Sequence, residues 1–303
     1  MIYARSRTKS QEIKTVNQVI VIGVLMKKIF PLFVLSVSLF AINCSSQTTE
    51  PEKKSETPEL AGYEIVWADE FSYTGLPDAK KWGYDVGGNG WGNQELQYYT
   101  NSRKENARVE NGKLVIEAKL ENFEGSSFTS ARLITKSRGD WTYGRFEIRA
   151  KLPYGKGTWP AIWMLPTVWN LGNGGWPDNG EIDIMEHVGY NPNVIHGSTH
   201  CNKYVHTKGT QKTATTNIPD AVSAFHNYIL EWTKDDIKVY VDDKLYFTSV
   251  NELRGWEYWP FFKDFHLILN IAVGGSWGGA QGIDPSVFPQ KMEVDYVRVY
   301  KKL

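Results

Sequence analysis

The feature of this sequence that most restricts its fold is an unbroken alternation of polar and apolar residues that keeps returning along the chain. Arg145-Phe-Glu-Ile-Arg-Ala-Lys-Leu152 alternates without a lapse, as do Asp236-Ile-Lys-Val-Tyr-Val241 and Val294-Asp-Tyr-Val-Arg-Val-Tyr300. Side chains on a strand point to opposite faces in turn, so a period of two means one buried face and one wetter face. Lys113–Ala118, Ala131–Lys136, Val194–His200, His226–Trp232, Lys244–Thr248 and Phe265–Ala272 predict further strands. Turn pairs separate them: Asn111-Gly112, Tyr143-Gly144 and Asp242-Asp243. No amphipathic helix longer than a few turns is predicted. Many short strands at short spacing make a β-sandwich, and residues 61–303 fit a single large one.

The amino-terminal part reads differently. Met26-Lys27-Lys28 leads into an apolar run from Ile29 to Ile42 that ends at Asn43-Cys44. A basic start and a short apolar core make a signal peptide, residues 26–43, too short for a comfortable membrane span. A cysteine directly after the apolar run resembles a bacterial lipoprotein signal, in which Cys44 is acylated. Asn43 stands where a small residue is usual, and a plain secretory signal is the alternative. Residues 1–25 are a doubtful upstream extension, with Met26 as the expected start. Residues 44–60 are almost devoid of apolar side chains and cannot offset their own ordering entropy, which predicts a disordered tether. The expected protein is exported as an outer-membrane or cell-surface lipoprotein, or is free in the periplasm or medium.

Charge excludes one class of partner. The chain has 34 basic and 34 acidic residues, so there is no surplus to neutralise phosphates and no nucleic-acid partner is expected. Two cysteines, Cys44 and Cys201, do not make a disulfide framework. Twelve Trp, sixteen Tyr and thirteen Phe exceed what a core of this size needs. Strands favour aromatics, but an indole is also a good platform for the apolar face of a pyranose. Three loops rich in Gly and Trp, Gly87–Tyr99, Pro166–Gly180 and Gly274–Ile283, suit mobile rims of a cleft better than a core. Trp277, set among glycines, is expected to stack on a sugar.

The chemistry lies in Gly180-Glu-Ile-Asp-Ile-Met-Glu-His187. On a regular strand Glu181 and Asp183 share a face and Glu186 faces away. One extra residue restores the phase, and Met185 is the natural place for that bulge. Three carboxylates then enter one cleft; a solvent-facing acidic strand is the plain alternative. Such a set suits double displacement at a glycosidic bond, where a nucleophile and an acid stand about 5–5.5 Å apart. Asp183 between them would disfavour ionisation of Glu186 and keep it an acid near neutrality.

At these residues a family resemblance appears. The E-I-D-I-M-E run resembles the bulged signature of glycoside hydrolase family 16, in the form typical of laminarinases, which cut β-1,3-glucan. Lichenases of that family usually carry the shorter E-x-D-x-E. The resemblance continues through Trp67-Ala-Asp-Glu-Phe71, Gly92-Asn-Gln-Glu-Leu-Gln-Tyr-Tyr99, Ala131-Arg-Leu-Ile-Thr-Lys136, Trp159-Pro-Ala-Ile-Trp-Met-Leu165, Phe225-His-Asn-Tyr228 with Glu231-Trp232, and Asp295-Tyr-Val-Arg-Val-Tyr300. It implies an all-β fold: a β-jelly-roll sandwich of two curved antiparallel sheets with a concave substrate cleft. It further implies Glu181 as nucleophile, Asp183 as helper and Glu186 as acid/base.

Other positions are assigned by the same resemblance. Trp159 and Trp163, four apart and therefore on one face, would floor the non-reducing-side sugars; core packing is the alternative. Arg132 would reach sugar hydroxyls rather than being an ordinary surface charge. Asn93 and Glu95 would line the cleft. His196, Ser198 and His200 share a face, and His200 matches a cleft histidine. No histidine pair has a clean third ligand for zinc, and no cofactor is expected for catalysis. A structural calcium far from the chemistry would use Glu70, the Gly112 carbonyl and Asp295, which otherwise read as a solvated pair at strand ends.

The expected function is retaining endo-hydrolysis of laminarin-type β-1,3-glucan by a monomer. Mixed-linkage β-glucan and an algal galactan stay open as substrates. A transglycosylase would use the same acids. A non-catalytic glucan-binding protein is disfavoured, because such relatives typically lose the acids.

Overall fold

The computed structural model describes residues 60–303. The signal peptide, the Cys44 anchor and nearly all of the tether therefore lie outside the described residues. In chain order the strands are β1 (Tyr63–Asp69), β2 (Gly83–Asp85), β3 (Gln97–Tyr99), β4 (Ala107–Glu110), β5 (Lys113–Phe123), β6 (Ser126–Ser130), β7 (Arg132–Ile134), β8 (Asp140–Trp141) and β9 (Gly144–Lys151). They continue as β10 (Thr158–Pro166), β11 (Glu181–Glu186), β12 (Val194–His200), β13 (Lys212–Asn217), β14 (His226–Trp232), β15 (Asp236–Val241), β16 (Lys244–Val250), β17 (Phe265–Val273) and β18 (Gln290–Lys302). Two single turns of 3-10 helix, at His206–Lys208 and Pro285–Val287, are the only helical segments among the described residues.

The strands form two packed sheets. One runs β16-β15-β14-β9-β18-β5-β6-β3, with β1 added on β18 and β4 on β5. The other runs β13-β12-β11-β10-β17-β7-β2, with β8 added on β17. Every strand predicted from alternation is present, with ends moved by a few residues. Pairing is antiparallel except between β3 and β6, a short parallel contact whose β3 side lies in the Gly87–Tyr99 segment expected to be loop. The Asn111-Gly112 turn joins β4 to β5 with φ of 52° and 69°, the left-handed pair that a tight hairpin requires.

The alternation resolves as expected. From the larger sheet, Phe146, Ile148 and Ala150 of β9 and Ile237, Val239 and Val241 of β15 enter the core. Facing them are Ile182, Ile184 and Met185 of β11 and Leu267, Leu269 and Ile271 of β17. Every residue of β17 is buried, and Asn270 and Ala272 on its second face line a cleft. The smaller sheet thus has a core face and a cleft face, and β11 lies within it, flanked by β10 and β12.

Candidate active site

The cleft is a cavity of about 450 Å³ lined by Glu181, Asp183 and Glu186 together with Trp91, Arg132, Trp159, Trp163, His200 and Trp277. The three acids reach it through a bulge. Asp183 pairs with Ser198 and Glu186 with His196 on β12, so Gly197 alone faces two residues, Ile184 and Met185. On the other side Met185 pairs with Ile162 and Asp183 with Trp163, which leaves Ile184 without a β10 partner. The expected bulge is real, but on the β10 side the inserted residue is Ile184 rather than Met185. Both Ile184 and Met185 turn into the core, where each gains full burial, and Glu186 returns to the cleft.

Each acid has a distinct partner. The Trp176 indole donates to Glu181 Oε2 at 2.9 Å, and the Trp159 indole donates to Glu186 Oε1 at 2.9 Å. His200 Nε2 lies 3.3 Å from Asp183 Oδ2 and 3.8 Å from Glu181 Oε1. Burial is the main force on all three carboxyls and pushes each up to about 8. The charge of Asp183 raises Glu181 and Glu186 further, while the indole hydrogen bonds pull the other way. Asp183 and Glu181 also share a hydrogen bond. The cluster therefore holds protons near neutrality, as an acid catalyst must.

The side of the cleft formed by β7 and β17 is a polar network. Arg132 is buried between two indoles, 4.8 Å from the Trp91 ring and 4.7 Å from the Trp163 ring, and pairs with Asp85 at 2.9 Å. It is no ordinary surface charge. Glu95 accepts from Asn93 at 3.3 Å, Gln97 at 2.6 Å and Tyr99 at 3.3 Å. Asn270 donates to the Tyr99 hydroxyl at 3.0 Å and accepts from the Trp163 indole at 2.7 Å. Trp159 and Trp163 do share the cleft face, as their spacing predicts. At the Glu186 end, Trp277 packs edge-on against Trp159 and His196, with centroids at 5.3 and 4.9 Å.

Trp91, Trp176, His206 and Asn270 also belong to this site, and the sequence pattern does not single them out. Trp91 and Trp176 lie in two of the loops expected to form rims. Asn270 is a lone amide in an apolar run, the one signal in the sequence that could have marked it. His206 packs tilted against Trp176 and edge-on against His200, with centroids 5.2 Å away in each case, from a single 3-10 turn that carries no sequence pattern.

Two groups of residues offer ligands for a metal ion. Glu181, Asp183 and His200 offer ligand atoms all within 4.8 Å of one another and could coordinate an ion. A cation there would occupy Glu181, the carboxylate expected to act as nucleophile. The residues expected to hold calcium lie elsewhere, in the larger sheet. Asp295 sits in a bulge of β18 between Val294 and Tyr296. The β1 ladder ends at Asp69 opposite Val297 and the β5 ladder at Leu114 opposite Val294, so Glu70 and Gly112 approach that bulge from either side. Glu70 accepts from Arg298 at 2.7 and 2.9 Å, and Asp295 from Arg149 at 2.9 Å. The oxygen-only donor set fits a hard cation.

Comparison with known proteins agrees with this geometry. The family model for glycosyl hydrolases family 16 matches residues 94–298. A beta-glucanase of Rhodothermus marinus is 56% identical over 274 residues, covering 89% of this chain and 93% of its own. A glucan endo-1,3-beta-glucosidase of Cryptopygus antarcticus is 42% identical over 250 residues, covering 77% of this chain and 90% of its own. The solved laminarinase from Rhodothermus marinus superposes with a TM-score of 0.79 at 58% identity, over 80% of this chain and 98% of its own. With three carboxylates converging in a cleft on the smaller sheet and a family match across most of the folded part, this chain belongs to glycosyl hydrolases family 16.

Proposed function

We propose that this protein hydrolyses internal β-1,3-glucosidic bonds of a laminarin-type glucan with net retention. The observation that carries this is the β11 bulge, which turns all three carboxylates into one cleft with an indole N–H on each glutamate. In the reactive form the acid cluster has given up one proton and the charge sits on Glu181, which attacks the anomeric carbon while Glu186 passes its proton to the glycosidic oxygen. The C1–O bond breaks and a glycosyl ester forms on Glu181. Glu186, now a carboxylate, takes a proton from water, whose oxygen attacks C1 and expels Glu181. Asp183, bonded to Glu181 and facing His200, holds the nucleophile and receives part of its changing charge. Arg132, Asn93 and Glu95 fix sugar hydroxyls on one side, and Trp159, Trp163 and Trp277 supply ring faces. NMR of fresh laminarin digests tests the scheme. The β-anomer should appear first; an initial α-anomer would overturn it.

Calcium at Glu70, the Gly112 carbonyl and Asp295 is proposed as a purely structural ion, supported by the way the β1 and β5 ladders end beside the β18 bulge. A ligand that binds only the folded state raises its stability. Chelator should lower the melting temperature while initial rates at moderate temperature hold. An unchanged melt, with no ion retained on purification, would remove the site. Export and anchoring of a monomer through acylated Cys44 are proposed on the sequence alone, and suit an enzyme whose substrate is a polymer outside the cell. Cys44→Ser should move activity from the membrane fraction to the soluble one; unchanged partitioning would refute the anchor.

A further inference from the structure

The β11 bulge is met by a second bulge in the opposite sheet. On β16, Phe247 pairs with Val239 and Leu245 with Tyr240, which leaves Tyr246 without a partner on β15. The Tyr246 hydroxyl donates to the carbonyl oxygen of Ile184 at 2.9 Å. Ile184 is the residue of β11 that the β10 ladder skips, between Asp183 and Met185. The two unpaired residues, one from each sheet, are thus tied to each other across the sandwich.

Gly197 is part of the same arrangement. It is the β12 residue that alone faces Ile184 and Met185. A Cβ built there would stand 2.8 Å from the Tyr246 hydroxyl and 3.0–3.1 Å from its ring carbons. Glycine leaves the gap through which the tyrosine reaches the bulge. Burial, above all, raises the Tyr246 hydroxyl well beyond its ordinary titration range, so it remains a donor at any working pH.

We infer that Tyr246 is a positioning residue for catalysis: its hydrogen bond to Ile184 fixes the bulge that sets Glu186 in phase with Glu181 and Asp183. A bulge is a local slip in register, and nothing in the β10 ladder holds Ile184 in place. Without the tie, the extra residue can migrate along β11, and each one-residue shift turns a side chain to the other face. Tyr246 touches no substrate. It acts through the backbone between Asp183 and Glu186, from outside the cleft. This rests on the retaining mechanism proposed above.

The test compares Tyr246→Phe, which removes only the hydroxyl, with Ser249→Ala. Ser249 accepts from Thr199 at 3.3 Å and also bridges β16 to β12, away from the bulge. On laminarin, Tyr246→Phe should lower kcat between about 10- and 100-fold with KM within about twofold, the size expected of a small misplacement. Its alkaline limb of kcat should move to lower pH, because a loosened Glu186 is better solvated. Ser249→Ala should keep wild-type kcat and pH profile even where its melting temperature falls as much. Wild-type kcat and pH profile in Tyr246→Phe would overturn the inference, as would an equal loss in Ser249→Ala. Should Tyr246→Phe not fold, Gly197→Ala presses on the same hydroxyl and should show the same kcat loss; unchanged kcat there would overturn it equally. A wild-type protein inactive on laminarin would instead defeat the underlying reading.

Discussion

Glu181, Asp183 and Glu186 are held in a setting that opposes their ionisation, and that setting has a consequence for stability. A carboxyl whose folded pKa is raised costs the fold no stability only while the same group in the unfolded chain is protonated too. Its contribution is full below the ordinary carboxylate value and is lost as pH rises toward about 8. Glu181→Gln should therefore abolish hydrolysis, by at least about 10³-fold, and raise the melting temperature at pH 7. The rise should be about 2–4 °C for each kcal/mol relieved, and should vanish at pH 4, where the carboxyl is neutral in the unfolded chain as well as in the fold. Equal melting temperatures at both pH values would contradict the assignment. These acids were legible in the sequence because their spacing carries the chemistry. Their indole partners were legible only as loop composition: Trp176 is five residues before Glu181, but a hydrogen bond between them depends on how the loop folds back. Arg132 shows the same limit. Its strand was predicted, but not that Trp91 and Trp163 would enclose it.

At the scale of the element, β11 carries one residue more than either neighbour. Opposite β12 the register shifts by one between Asp183 and Glu186, and opposite β10 it shifts by one between Asp183 and Met185. Deleting Ile184 removes the same offset from both ladders at once. The downstream pairs of Glu186 with His196 and Ala161 stay in place, and the strand becomes a regular one with three acids still on one face. This deletion should therefore keep measurable hydrolysis of laminarin despite losing stability by about 2–5 kcal/mol through the lost core side chain. Deleting Ile184 and Met185 together supplies the contrast: it should abolish activity, because it sets Glu186 next to Asp183 and therefore on the opposite face. Activity in the double deletion, or none in a folded single deletion, would mean that the bulge is not what aligns the acids. The long alternating strands were legible because one face is buried and one is not. The strands β3, β6 and β13 were not. Lys212–Asn217 is almost wholly polar at a sheet edge, Ser126–Ser130 sets one phenylalanine among hydroxyls, and Gln97–Tyr99 closes a Gly-rich loop, so none shows a period.

Across the whole molecule, two sets of buried groups pull stability in opposite directions with pH. His187 and His266 are buried, and burial lowers them to about 4 and about 3. A histidine with a depressed folded pKa resists protonation, so its contribution is full above the ordinary histidine value and is lost as pH falls below it, until the folded value is reached. The three cleft carboxyls lose stability in the other direction, from the ordinary carboxylate value up to about 8. Between about pH 4.5 and 6.5 the two sets oppose each other. Below that window only the histidines act, and above it only the carboxyls. Stability should therefore peak on the acid side of neutrality and fall on both sides, with a slope of about 1.4 kcal/mol per pH unit for each group that titrates. His266→Leu should flatten the acid limb and leave the alkaline limb alone, since it removes one buried base whose Nδ1 has no hydrogen-bond partner. Glu186→Gln should do the reverse. Chemical denaturation from about pH 3 to pH 9 measures both limbs. A curve that climbs steadily across that range, or variants that shift the wrong limb, would show that the cleft acids are not the groups that limit the fold at alkaline pH.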